Sequence, residues 1–150
     1  MIELTLTARE VRRRPNPPVG LSITLTYEDR FLRRKRLLTD QGQAVLLDLP
    51  ETTSLDHGDL LVLEDGRGVA ILAAPEALIE VTGEDLTRLA WHIGNRHTPC
   101  QIAAGRLLIR EDHVMADMLM RLGATIRRVT EPFTPEGGAY GLGRTHGHAH

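Results

Sequence analysis

From Ala77 to Val129 the apolar residues follow one succession, strand, helix, strand, strand, helix, strand, and few folds accept that order. "ALIEVT" at 77–82 reads as a strand, and "GEDLTRLAWHIG" then places Leu86, Leu89, Ala90 and Ile93 on one helical face. Thr82 is the expected cap of this helix, Glu84 and Asp85 suit the positive end of its dipole, and Gly94 is its expected stop. "CQIAA" and "RLLIR" are short strands turning at Gly105. "EDHVMADMLMRLG" gives a second helix, with Asp112 near its start, Val114, Met115, Met118, Leu119 and Leu122 inward and Gly123 at its end, before "TIRRV" as a last strand. This βαββαβ order is the split βαβ or ferredoxin-like arrangement, with two helices on one face of a four-stranded antiparallel sheet. The methionines at helical spacing read as core packing.

Upstream the pattern is different. "IELTLTA", "LSITLTY", "RLLTD", "AVLLDLP", "DLLVLED" and "GVAILAA" are short and rich in Val, Ile, Leu and Thr, and turn formers such as "NPPVG", "TDQGQ" and "EDGRG" separate them. Such spacing predicts a small all-β sandwich or barrel, with Asp65-Gly66 marking a hairpin. Pro75 in "AAPEAL" ends this pattern, so the expected fold class is α+β: a β-rich domain at 1–74 and a ferredoxin-like domain at 75–150. With 41% hydrophobic residues, 150 residues suffice for two small cores. From Glu131, "EPFTPEGGAYGLGRTHGHAH" is rich in Gly and Pro, which predicts a flexible, disordered tail from about 131 that carries His146, His148 and His150.

Charge and cysteine usage exclude several functions. Lys and Arg number 18 against 20 for Asp and Glu, a formal charge of -2, so there is no general field for nucleic acid. "VRRRP" and "FLRRKR" are locally basic, but Glu10, Glu28 and Asp29 lie beside them, and a solvated strand face is the expectation. The single Cys100 excludes an intramolecular disulfide and fits a reducing, cytoplasmic setting. No run of about 18 apolar residues predicts a membrane span, and the N-terminal basic run follows its apolar stretch, the reverse of a secretory signal. Cysteine pairs for a zinc cage, a His-Glu-x-x-His motif and a Gly-rich phosphate loop are all missing. Cys100 is expected to be a buried or inert thiol. The chain does not read as an enzyme.

Seven histidines remain. His92 and His97 flank the end of the first helix, His113 begins the second, three close the chain, and His57 lies in the turn-like "LDHGD" as an exposed loop residue without a role. In "HIGNRHTP", Gly94 and Asn95 both tolerate the left-handed conformation and Pro99 stiffens the exit, so His97 stands on a short, restricted loop. It cannot hold a divalent ion alone. Nickel, copper and zinc all accept neutral imidazole, and the missing ligands could come from the tail and from a second His97 across a two-fold homodimer axis. Two other readings are a structural adaptor and an RNA-binding module, each with adventitious metal binding by the tail.

"WHIGNRHTPCQI" at 91–102, "DHVMADMLMRLG" at 112–123 and "EPFTPEGGAYG" at 131–141, followed by a histidine-bearing tail, resemble the urease accessory nickel chaperones of the UreE family. "RLLTDQGQAVLLDLPETTSLDHGDLLVLEDG" at 36–66 is similar to that family's first domain. The resemblance implies a β-rich partner-binding module followed by a ferredoxin-like module that dimerises and binds metal. Carried over by motif, the metal ligands are His97 and the tail histidines His146, His148 and His150, with His113 as an additional ligand. Ni(II) would be the cargo, with Cu(II) or Zn(II) competing in vitro. The implied partners are a second copy of the chain, the urease accessory GTPase, other urease maturation proteins and apo-urease, with no nucleic acid and no membrane. Arg110 and Glu111 stand where some relatives have a further histidine, so one ion per dimer is expected rather than a reservoir.

Overall fold

The computed structural model describes residues 4–13 and 20–137. The chain divides into two compact units between Ala74 and Pro75.

The first unit is β-rich. β1 (Leu6–Arg12), β2 (Leu21–Leu25), β3 (Phe31–Leu38), β4 (Ala44–Ser54), β5 (Leu60–Leu63) and β6 (Gly68–Ala73) form one mixed sheet in the order β2-β6-β5-β1-β4-β3. β1 and β4 run parallel, as do β2 and β6, while β5 and β6 form the hairpin marked by Asp65-Gly66, with Gly66 at φ 88°. Alternate residues of these strands, including Leu47, Leu61, Leu63, Val69 and Ile71, are buried in a single core. Each fully buried Leu, Val or Ile contributes about 1.5–3 kcal/mol. The two ends of the strand order meet at Asp40, just past β3. Its backbone N–H donates to Ser22 O of β2 at 2.8 Å, and its carboxylate accepts from the Ser22 and Thr24 hydroxyls at 2.7 and 2.8 Å. Partial burial would raise the Asp40 pKa, but these hydroxyl bonds outweigh it and hold the value below the ordinary one.

His57 has a role that its turn-like surroundings do not announce. It is exposed, as expected, yet its Nδ1 accepts from Ala73 N at 3.0 Å and so caps the last backbone donor of β6. That ring nitrogen is therefore occupied by a structural bond. Beside it, the fully buried Asp59 carboxylate accepts from Asp56 N at 2.7 Å and Arg13 Nη1 at 2.6 Å.

The second unit comprises β7 (Pro75–Thr82), α1 (Leu86–Asn95), β8 (Gln101–Ala103), β9 (Arg106–Arg110), α2 (His113–Arg121) and β10 (Thr125–Pro132). The strands order as β10-β7-β9-β8 with every neighbour antiparallel, which is the ferredoxin-like sheet. Both helices pack on one face, where Ile79, Val81, Leu107 and Ile109 of the sheet meet Leu89, Ile93, Met115 and Leu119. On the opposite face, Arg106 bridges Glu80 and Glu131 and forms a two-bonded pair with Glu131 at 2.7 and 2.8 Å. Arg127 adds a second cation to Glu80 at 3.1 Å.

Three expectations need correction. Asp85, not Thr82, caps α1: its Oδ1 accepts from Arg88 N at 3.1 Å, while Thr82 is still paired with Thr125 in the sheet. Val114 does not point inward and is 53% exposed, because the phase of α2 is set by Met115 and Leu119. The segment from Glu131 is not a free tail at its start. β10 continues through Pro132, Phe133 is fully buried, Thr134 N donates to Gln101 Oε1 at 2.9 Å, and Glu136 N donates to Cys100 O at 2.9 Å. These bonds carry the chain from one edge of the sheet, β10, to the other, β8.

Candidate metal centre

α1 and α2 end in the same way. Beyond Leu119, the last buried residue of α2, Gly123 N donates to Met120 O and Ala124 N to Leu119 O, both at 3.0 Å, with Gly123 at φ 92°. Beyond Ile93, the last buried residue of α1, His97 N donates to Gly94 O at 2.9 Å and Thr98 N to Ile93 O at 3.3 Å, with His97 at φ 56°. Both are Schellman turns, whose left-handed position is usually glycine. The loop predicted around Gly94 and Asn95 is present, but the left-handed residue is His97 itself. Both Gly94 and Asn95 lie within α1. A left-handed L-residue costs about 1–2 kcal/mol, a cost glycine does not carry. Counting four residues past the last buried helix position would have found it, since the spacing Ile93–His97 equals Leu119–Gly123.

The turn is held from both sides. The Thr98 hydroxyl reaches Met115 Sδ on α2 at 3.7 Å, and Cys100 O receives the Glu136 bond. Desolvation, reinforced by the Glu136 carboxylate, raises the Cys100 thiol to about 11, so it is protonated near neutrality and is a poor nucleophile or thiolate ligand. Trp91 on α1 is 62% exposed and meets the His92 ring edge-on, centroids 5.0 Å apart, while Ile102 on β8 is 58% exposed. Large exposed apolar side chains thus stand on both elements flanking the His97 turn.

His113 is exposed at the first position of α2. Its neighbour Asp112 is engaged as the cap, accepting from Val114 N and Met115 N at 2.9 and 3.2 Å. His113 borders a groove of about 610 Å³ with Ile79, Met120 and Ile126, where Arg128 pairs with Glu111 at 2.9 Å. Among the described residues no group of three or more His, Cys, Asp and Glu side chains is gathered to hold an ion. His146, His148 and His150 lie outside the described residues. None of the described helices is long and apolar enough to cross a membrane.

Comparison with known proteins bears on both units. Residues 76–150 match the UreE urease accessory protein C-terminal domain, and residues 2–74 match its N-terminal domain. The chain belongs to the UreE urease accessory protein family. The UreE of Ruegeria pomeroyi is 70% identical over 128 residues, covering 85% of this chain and 86% of the relative. That of Cereibacter sphaeroides is 59% identical over 133 residues, 89% of this chain and 72% of the relative. That of Paracoccus denitrificans is 54% identical over 137 residues, 91% and 87% of the two chains. Membership of UreE makes the chain an accessory protein of urease.

Proposed function

We propose that this UreE protein is a cytoplasmic nickel chaperone for urease maturation, working by carriage rather than catalysis. The observation that carries the reading is the imidazole of His97 at a left-handed turn position where glycine is the usual residue. Ni(II) is the cargo, and one ion is shared across a homodimer. A two-fold axis at the His97 turn would bury Trp91 and Ile102 and bring a second His97 to the same ion.

The tail supplies the remaining ligands. The Glu136–Cys100 bond starts the tail three residues from His97 in sequence, and ten residues lead from Glu136 to His146. Extended at roughly 3.3–3.6 Å per residue, that length spans about 35 Å, enough for His146, His148 and His150 to meet an ion at the turn. Tail imidazoles can then leave one at a time while the ligands of a partner, the urease accessory GTPase, another maturation protein or apo-urease, replace them. His113 stands at a different element and serves as a weaker, additional ligand. Cu(II) and Zn(II) would compete in vitro, copper most strongly.

Urease maturation at limiting nickel tests this reading. A strain whose only copy carries His97→Ala should lose most urease activity and recover it with excess nickel. Full activity at limiting nickel would remove His97 from the transfer route.

A further inference from the structure

Cations of the described residues are mostly matched to carboxylates: Arg12 to Glu10, Arg67 to Asp65, Arg121 to Asp117, Arg127 to Glu80 and Arg128 to Glu111. Among the described residues Arg9, Arg88 and Arg96 lack such a pair singly, whereas β3 gathers four such cations in succession. Arg33, Arg34, Lys35 and Arg36 follow one another, all are exposed, and none has an ion pair or hydrogen-bonded side-chain partner among the described residues. Among the described residues β3 is also the last strand in its sheet and pairs with β4 alone, so no described strand pairs with its outer backbone edge over residues 34–36. The sheet closure at Asp40 lies beyond the end of β3.

A strand alternates its side chains, so over the regular stretch from Arg34, Lys35 flanks the edge on the side of buried Leu37, and Arg34 and Arg36 on the side of Leu38, which is 63% exposed, while Arg33 stands at the register irregularity. Guarding an edge against self-association needs only a charge or a kink. Four cations in succession, with Asp48 opposite Arg34 as the one carboxylate in the register of β3 and β4, repel one another and exceed that need. Their division between the two faces also selects the partner. A strand added at the edge would send its own side chains to both faces and meet cations on each, as in β-strand addition. A phosphate backbone would lie along one face and leave the cation of the other unused.

We propose that the edge of β3 at residues 34–36 receives an extended acidic segment of a protein partner as an additional strand, its carboxylates straddling the edge between Lys35 on one side and Arg34 and Arg36 on the other. The proposal deepens the reading of the first unit as the partner-binding module and is independent of nickel. The test uses the full-length, metal-free chain, so its failure leaves the metal reading untouched. The probes are a synthetic peptide of alternating Glu and Thr, long enough for one strand of about six residues, and a single-stranded oligonucleotide of equal formal charge. Binding is followed by backbone amide NMR. The peptide should shift and protect β3 amides, a Arg34→Glu/Arg36→Glu variant of unchanged circular dichroism should bind at least tenfold more weakly, and Arg34→Lys/Arg36→Lys should retain most of the affinity. No peptide binding, equal binding by the charge-reversed variant, or tighter binding of the oligonucleotide through the same residues would overturn it.

Discussion

The C-terminal turns of α1 and α2 share one hydrogen-bond pattern and one distance from the core, yet one is closed by His97 and the other by Gly123. At Gly123 the residue type answers the backbone: the left-handed conformation needs no side chain, and a Cβ there would meet nothing within 4 Å. At His97 the backbone makes the same demand and the sequence declines the inexpensive answer. The difference separates a position whose residue type answers the backbone from one whose residue type does not.

The comparison can be broken most forcefully at α2. Gly123→Ala meets no clash, so its whole effect is conformational, and it should destabilise the protein by about 1–2 kcal/mol in urea unfolding. A neutral result would mean that the left-handed position carries no cost in this fold, and the argument from His97 would lose its footing. The reciprocal change is smaller. His97→Gly relieves the same conformational cost but adds unfolded-state entropy and removes the contacts of the imidazole, so stability should stay level or rise by up to about 1 kcal/mol. A loss above 1 kcal/mol would show that the imidazole is there to hold the turn.

Acid should sharpen the contrast with the least overall effect. Hydrogen bonding by Arg127 and Arg106 holds Glu80 below the ordinary glutamate value of 4.5, and Arg106 does the same for Glu131. Both folded values are depressed, so the stability they contribute is complete above about 4.5 and is lost as pH falls through the lower folded values. Glu131 sits at the end of β10 from which the strap to Cys100 departs. Hydrogen exchange in this range should release the Glu136 amide before the Ala124 amide of the glycine turn. Simultaneous release would deny the ion pairs a local role.

Much of this was legible in the sequence, for physical reasons that also mark where legibility stopped. The two helices and the ferredoxin-like order follow from apolar period, because Leu86, Leu89 and Ile93, like Met115 and Leu119, must share a face to be buried. The sheet of the first unit follows from alternation and turn residues. The owner of the left-handed position did not, since Gly94 and Asn95 are better formers of that conformation and only the register of Ile93 on the core decides against them. The strap at 133–136 was hidden because Gly and Pro content signals lack of a core, whereas two backbone N–H bonds to Gln101 and Cys100 hold this segment. His57 was missed for a related cause: its bond joins residues 16 apart, with no local pattern to announce it. The candidate ligands follow from histidine placement together with the family resemblance, and the proposed assembly draws on His146, His148 and His150, outside the described residues, and on a second copy of the chain.

The most direct test joins binding to folding in one variant. Wild-type and His97→Gly protein, full length and untagged, are titrated with Ni(II) by calorimetry, with light scattering for the oligomer and urea unfolding of the same samples. The account predicts one tight ion per wild-type dimer and at least a hundredfold weaker binding in His97→Gly, about 2.7 kcal/mol, with stability unchanged or higher. Tight nickel binding that survives in the well-folded glycine variant would contradict it.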